Sequence, residues 1–325
     1  MSYDKPTVSV IICAYTTRRW NDLQDSVESA LRQPEATEVV LVIDHEPTLF
    51  AMAKDRWPTM LVVENAGSQG LSGARNTGIT EASSELVAFL DDDATADADW
   101  LTWMLDSFAD EHVHGVGGHA EPVWPDAAGP ALYPDELLWI VGCSYRGLPT
   151  QQADVRNIMG CSMVFRKSSI IAAGGFSSTI GRIGSVPLGC EETELCIRIR
   201  QADPLARIVY EPLSMVSHRV SADRGTWKYL LRRGFYEGVS KALLSRSLGR
   251  GDSLSSESAY LTGVLPKAVL RELVHPVAGG WRRAAAIVAT VAMTATGYIV
   301  GTVLGARAAG VGRQTPAPLP AVLVP

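Results

Sequence analysis

Short apolar runs alternate with amphipathic stretches through the first third of the chain. Thr7–Cys13 (TVSVIIC), Glu38–Ile43 (EVVLVI), Met60–Val63 and Leu86–Leu90 (LVAFL) are β-branched or apolar throughout. Strands covered by helices on both faces have this composition, because neither face meets water. Between the first two runs, Trp20, Leu23, Val27, Ala30 and Leu31 recur at helical spacing, and Gln69–Ala82 offers a second helix behind a glycine-rich turn. Strand, helix and strand at this pitch imply right-handed crossovers and a mainly parallel α/β sheet flanked by helices. Ligands of such sheets bind at the carboxyl ends of the strands.

A different pattern closes the chain. Ala284–Ala306 (AAAIVATVAMTATGYIVGTVLGA) carries no charge over twenty-three residues, about 34 Å of helix at about 1.5 Å per residue. That length matches a bilayer. Arg282, Arg283 and Arg307 flank it, and Gly297, Gly301 and Gly305 share one face at the four-residue interval of close-packed membrane helices. Its Ala, Thr and Gly content makes it only weakly hydrophobic, so three readings stay open over 282–312. They are a transmembrane helix, a helix lying on the membrane surface, and a buried dimer helix that would make a homo-oligomer through the 297–305 face. The Pro- and Ala-rich residues 313–325 read as a disordered tail.

Composition narrows the class. The 325 residues are 46% hydrophobic and 20% charged, too apolar for disorder and too charged for a polytopic membrane protein. With 29 Lys+Arg against 35 Asp+Glu the net charge is −6, which argues against nucleic acid as a partner. Five cysteines (Cys13, Cys143, Cys161, Cys190, Cys196) make no CxxC pair or Cys/His zinc spacing and read as reduced, mostly buried thiols. The N-terminus runs from a polar lead straight into a strand with no signal-like apolar stretch, so the main body is expected in the cytoplasm. From Asn76 to Tyr145 there are fourteen acids and no Lys or Arg, while Arg198–Arg250 holds eleven Lys/Arg against four acids. An acidic centre followed by a basic segment suits a bound cation beside phosphates or an anionic surface, although solvated faces explain many single charges equally well.

Asp91-Asp92-Asp93 follows the strand LVAFL and precedes a helix opened by Asp97 or Asp99. Three carboxylates at a strand end repel one another unless a cation neutralises them, and oxygen ligands suit Mg²⁺ or Mn²⁺ rather than zinc. A helix N-cap accounts for one or two of the three aspartates. There is neither GxGxxG nor the GK[ST] of a P-loop, which counts against a dinucleotide oxidoreductase and an NTPase.

Four elements in order, Ala14-Tyr15-Thr16-Thr17-Arg18 after the first strand, Asp44 at the end of the second, the Asn65–Asn76 stretch NAGSQGLSGARN and the acidic triplet, resemble a family-2 glycosyltransferase of the GT-A fold, with its Rossmann-like sheet. Further on, Gly160–Arg166 (GCSMVFR), Gly174-Gly175-Phe176, Gly189–Leu195 (GCEETEL) and His218 resemble the family's donor-sugar loop, acceptor-side turn, catalytic acidic motif and late metal-binding histidine. The resemblance implies a GT-A catalytic domain over 1–225, with a nucleotide-sugar half to about 110 and an acceptor half beyond it. It implies that Ala14, Tyr15, Thr16 and Arg18 lie under the nucleotide, that Asp44 contacts the base, and that Gly70, Ser72, Gly160 and Cys161 line the donor site. Asp44 also reads as a simple turn residue. Arg75 either reaches phosphate or braces the triplet. By resemblance Asp93 is the principal metal ligand and His218 the second, Asp92 serves the ribose or a metal-bound water, and Asp91 supports them. His112, His114 and His119 match nothing in the family and read as strand edge or loop.

The same resemblance puts Glu192 at the general-base position and Glu191 beside it as an acceptor-orienting group. Glu stands here where Asp is usual, so the two roles are exchangeable. Adjacent carboxylates raise one another's pKa, which suits a base working near neutral pH. Glu194 reads as an acid of a first helical turn. The segment Trp227–Lys241 (WKYLLRRGFYEGVSK), within a basic amphipathic extension over 226–281, sets Trp227, Tyr229, Leu230 and Leu231 among Lys228, Arg232 and Arg233. It either lies on an anionic bilayer and presents a polyprenyl-phosphate acceptor or caps the catalytic domain. The expectation is a Mn²⁺- or Mg²⁺-dependent inverting transferase on the cytoplasmic face of the membrane, moving sugar from a nucleotide-diphosphate donor to a glycan or polyprenyl-linked acceptor of the cell envelope. A sugar nucleotidyltransferase shares the sheet and metal but lacks its glycine-rich basic first loop here, and a non-catalytic carbohydrate- or membrane-binding module is the third reading.

Overall fold

A computed structural model describes residues 6–126, 129–177, 189–249, 251, 257–274 and 279–310. The tail 313–325 therefore lies outside the described residues. Its four apolar runs are strands β1 (Val8–Ala14), β2 (Ala36–Ile43), β3 (Leu61–Glu64) and β4 (Leu86–Asp91), all paired in parallel in the order β3-β2-β1-β4. Helices α1 (Trp20–Leu31), α2 (Pro47–Arg56) and α3 (Leu71–Glu81) make the crossovers. Side chains alternate between two cores, as a strand's period of two requires. Val8, Val10, Ile12 and Ala14 of β1 join the core containing Leu23 and Val27 of α1, and Ile11 joins the opposite core with Ala74 and Ile79 of α3.

Beyond β4 the sheet turns antiparallel. Between the triplet and α4 (Trp100–Asp106) lies a short strand, β5 (Ala94–Ala96), which the sequence reading did not separate from the helix start. Then come β6 (Val113–Val123), β7 (Ala153–Asp154), β8 (Ser162–Arg166), α5 (Lys167–Ala172), α6 (Glu191–Ala202) and β9 (Arg207–Arg219). The full order is β3-β2-β1-β4-β8-β6-β9-β5, with β7 paired to β9. Strand β8 is antiparallel to β4 and β6, whereas β6 and β9 run parallel. The antiparallel β5–β9 ladder sets Ala94 opposite His218. One pairing register thereby carries a histidine over a hundred residues distant in sequence to the acidic triplet.

Among the described residues, longer helices follow, α7 (Trp227–Leu248), α8 (Leu265–Val274) and α9 (Gly280–Gly310), with a short helical lead over 257–264 into α8. Leu230, Leu265, Ala268, Ala286 and Ile287 close a third core over Leu137, Ile140 and Val141, so α7 caps the catalytic body. Helices α7 and α9 touch backbone to backbone. A Cβ on Gly297 would lie 1.9 Å from the Phe235 carbonyl oxygen, and one on Gly238 would lie 2.0 Å from that of Thr294. The Thr294 hydroxyl donates across the seam to the Gly234 carbonyl at 3.1 Å. The face carrying Gly297 and Gly301, one of whose three readings is a seam between two copies, packs on α7 of the same chain, because only side chains this small let the two backbones meet. Gly280–Val303 of α9 is long and apolar enough to cross a membrane, with mean hydropathy 1.7 and a third of it buried against protein. Its exposed large side chains, Trp281, Val288, Ile299 and Val303, fall on one stripe.

Gly297→Val forces this seam apart. We expect a loss of at least about 2 kcal/mol in urea unfolding, as overpacking against an unyielding backbone costs. Ala at exposed Val288 should change stability by under about 0.5 kcal/mol.

Candidate active site

The carboxyl ends of β1, β2 and β4 open onto one cleft of about 1410 Å³, which the first turn of α6 and the inner sides of α7 and α9 close. The acidic triplet stands at its centre. Oxygens of Asp91 and Asp93 and a ring nitrogen of His218 all lie within 4.8 Å of one another. His218 Nε2 is 3.2 Å from Asp93 Oδ1, and its Nδ1 is 3.5 Å from the Cys143 sulfur. Asp92 turns the other way, to Arg19 Nη1 at 2.7 Å, and the same nitrogen is 3.0 Å from Asp93 Oδ2. Arg224 reaches the same Asp93 oxygen at 3.7 Å.

These contacts split the titration of two neighbouring acids. Burial favours protonation of both. At Asp92 burial outweighs Arg19, and with the charges of Asp93 and Asp91 added it pushes the carboxyl up to about 7. At Asp93 burial is overcome by His218, Arg19 and Arg224, which hold it well below the usual carboxylate range. Burial would lower His218, but Asp93 beside it raises it to about 10. Arg19 and His218, with Arg224, are thus the cations that offset Asp92 and Asp93.

Across the cleft, α6 begins with Cys190 in the left-handed region at φ +76°, a turn that aims the first helical turn into the cleft. Glu191 and Glu192 both line it. Burial and the neighbouring Glu191 push Glu192 up to about 8. Glu194, buried in the first turn of α6, instead pairs with Arg198 at 2.5 Å. Between the two acidic groups lies Arg75, 2% exposed and stacked near Phe89 and Phe176. Its Nη2 donates to the Gly160 carbonyl at 2.9 Å and lies 3.4 Å from Asp91, while Nη1 lies 3.7 Å from Glu191. Arg75 therefore braces the triplet.

At the carboxyl end of β2, Asp44 accepts from Asn65 Nδ2 at 2.6 Å and from the Gly70 amide at 2.9 Å, so it pins the glycine-rich loop while lining the cleft. Gly70 itself holds φ +125°. Ala14, Tyr15, Gly160 and Cys161 also line the cleft. Thr16, Arg18 and Ser72 are not part of its wall. The Thr16 hydroxyl caps a 3₁₀ turn by accepting from the Arg18 amide, Arg18 is exposed, and Ser72 is buried in α3. The turn Thr17–Arg19 presents the next residue, Arg19, to the acids. Sequence reasoning named Arg18 and missed Arg19; adjacent arginines differ only in the phase of that turn. The thiols of Cys161 and Cys190 are raised by burial, which leaves them protonated and unsuited to nucleophilic work.

The donor set fits a hard divalent cation with one imidazole. Two carboxylates and a histidine converge, and Asp92 Oδ2 is buried without a hydrogen-bond partner among the described residues. Asp91, expected to support, sits with Asp93 and His218, whereas Asp92 stands apart on Arg19.

Comparison with known proteins accords with this geometry. The profile of Glycosyl transferase family 2 matches residues 9–172. The chain is 30% identical over 303 residues to a glucosyl-dolichyl phosphate glucuronosyltransferase of Haloferax volcanii, covering 90% of this chain and 96% of that one. Among solved structures, it resembles the mannosyltransferase PcManGT from Pyrobaculum calidifontis in complex with GDP-Man and Mn²⁺, with a TM-score of 0.57 and 16% identity over 92% of this chain and 88% of that one. GalNAc-T7 with UDP, GalNAc and Mn²⁺ gives a TM-score of 0.53 at 14% identity, over 82% and 58%. Both structural likenesses speak for the GT-A fold. The chain belongs to glycosyltransferase family 2 and is a glycosyltransferase.

The site yields two measurable expectations. Asp93→Ala and His218→Ala should each weaken Mn²⁺ binding at least about tenfold in an electron-paramagnetic-resonance titration, with Asp92→Asn affecting it less. Glu192 titrates from 4.5 when unfolded to about 8 when folded, so ionising it costs stability progressively between those values and fully above them. Glu192→Gln removes that cost: its Tm should exceed the parent's above about pH 8 and converge with it toward pH 4.5.

Proposed function

We propose that the chain is a metal-dependent inverting glycosyltransferase that moves a sugar from a nucleoside-diphosphate donor to a hydroxyl of a lipid-linked acceptor, in the assembly of a cell-envelope or lipid-borne glycan. The observation that carries this reading is one cleft with a cation-binding acidic corner on one side and a glutamate of raised pKa on the other, joined by Arg75. Asp91, Asp93 and His218 would hold Mn²⁺ or Mg²⁺, and the bound ion supplies charge neutralisation for the departing diphosphate.

The chain's own residues do the rest. Ala14, Tyr15 and Asp44 cradle the nucleotide, and Gly70, Gly160 and Cys161 bound the donor pocket. Arg19, paired to Asp92 and Asp93 on the cleft wall, offers its guanidinium to phosphate oxygens of the donor. Glu192 takes the proton of the acceptor hydroxyl as that oxygen bonds to the anomeric carbon. The bond from this carbon to the diphosphate breaks on the opposite face, and its electron pair leaves with the phosphate. Glu191, held near Arg75, orients the acceptor.

Membrane attachment is supported by the exposed apolar stripe of α9, by exposed Leu270, Leu273 and Val274 on α8, and by the lipid acceptor in the Haloferax relative's name. We place the enzyme on the cytoplasmic face, and the five unpaired cysteines suit that reducing side.

Incubation with UDP-, GDP- and dTDP-sugars should release the nucleoside diphosphate in a Mn²⁺- or Mg²⁺-dependent way. Pyrophosphate released from a nucleoside triphosphate would instead make it a nucleotidyltransferase. Glu192→Gln should lower kcat by about 10²–10⁴-fold while donor binding persists. The parent's kcat/KM should rise with pH and level off above about 8, where Glu192 is ionised.

A further inference from the structure

Next to Glu192 the cleft wall holds a buried charge cluster that the transfer step does not use. Arg233 Nη1 lies 2.9 Å from Glu237, Lys241 Nζ lies 3.3 Å from Glu237 and 2.5 Å from Glu257, and Arg156 Nη1 lies 2.6 Å from Glu257. All five side chains line the cleft. Among the described residues three cations face two carboxylates, an excess of one positive charge over these five groups in a place where burying charge is costly. The cluster abuts the catalytic turn. The Cys190 sulfur is 3.7 Å from Glu237, and a Cβ on Gly189 would lie 2.9 Å from Arg233 Nη2.

The same cleft also has an apolar lining. Leu261, Val264 and Leu265 line it together with Val291, Ala295 and Ile299 of α9, and Ile299 is 63% exposed, so the cleft is continuous with the apolar stripe. One continuous wall therefore offers a carboxylate base, then a net cation, then hydrocarbon. An amphiphile with an anionic head and an uncharged polar group beyond it matches that sequence. Guanidinium groups favour phosphate oxygens as head, through paired hydrogen bonds. The attacking group follows from the base: a phosphate oxygen is already ionised at neutral pH and needs none, whereas a sugar hydroxyl does.

We propose that Arg156, Arg233 and Lys241 bind the phosphate of a lipid-phosphate-linked sugar, placing a hydroxyl of that sugar at Glu192 and its lipid chain along the exposed Leu261 and Ile299 of the cleft wall. The assignment rests on the transferase reading and adds to it the site of the acceptor's phosphate.

The test uses the full chain in detergent micelles with EDTA, and farnesyl phosphate, farnesol and inorganic phosphate as probes in calorimetric titrations. Farnesyl phosphate should bind at least about tenfold more tightly than either other probe, since it alone engages both halves of the wall. Arg233→Gln should remove most of the preference for farnesyl phosphate over farnesol while leaving farnesol binding unchanged, a split that general loss of structure does not produce. Arg156→Gln gives the same reading if the first variant does not fold. Equal binding of farnesyl phosphate and farnesol by the parent overturns the proposal, as does a variant that weakens both alike. Inorganic phosphate binding as tightly as farnesyl phosphate overturns the lipid half. Metal-dependent release of nucleoside diphosphate from the donor into water needs no acceptor. Its persistence alongside failed farnesyl phosphate binding would sink this assignment and leave the transferase reading standing.

Discussion

Three consecutive carboxylates at the end of a strand repel one another, and the way that repulsion is offset organises the cleft. Every acid meets a cation: Arg75 for Asp91, Arg19 for both Asp92 and Asp93, and His218 and Arg224 for Asp93. The cations come from the ends of β1 and β9 and from α3, so the sheet must be complete before the charges balance. Arg75 is the most confined of them. Its guanidinium is shut between Phe89 and Phe176, where an unpaired charge would be heavily penalised, and this holds Asp91, Gly160 and Glu191 in a fixed relation.

Much of the scaffold is legible in local pattern. The four apolar runs become the parallel strands within a residue or two at either end, because a strand buried on both faces has no polar option. The acidic triplet announces itself by composition. What escapes sequence reasoning is phase and register. Arg19 rather than Arg18 meets the acids because a 3₁₀ turn rotates one of two identical neighbours inward. Asp91 joins His218 because the chain bends between β4 and β5, and the three-residue strand β5 is too short to leave a periodic signal. Arg156 lies far along the chain from Arg233 and Lys241 of α7, and nothing local distinguishes the three from solvated charges.

The C-terminal helices show how one pattern serves two ends. Glycines at four-residue intervals look alike whether the partner helix belongs to another subunit or to the same chain. Here the partner is α7, whose own small residues meet them. Burying that face leaves the opposite side of α9 apolar and outward, so a helix of modest hydrophobicity both completes the cleft and supplies the surface that suits a membrane.

The backbone seam between α7 and α9 has a geometric consequence. Two helices meshed this closely have little room to slide, so in the proposed membrane-attached state the depth of α9 would also set the height of Arg233 and Lys241 above the lipid. On that proposal the pair is a ruler, and the distance it marks off would govern how far along a membrane-anchored molecule the active groups reach.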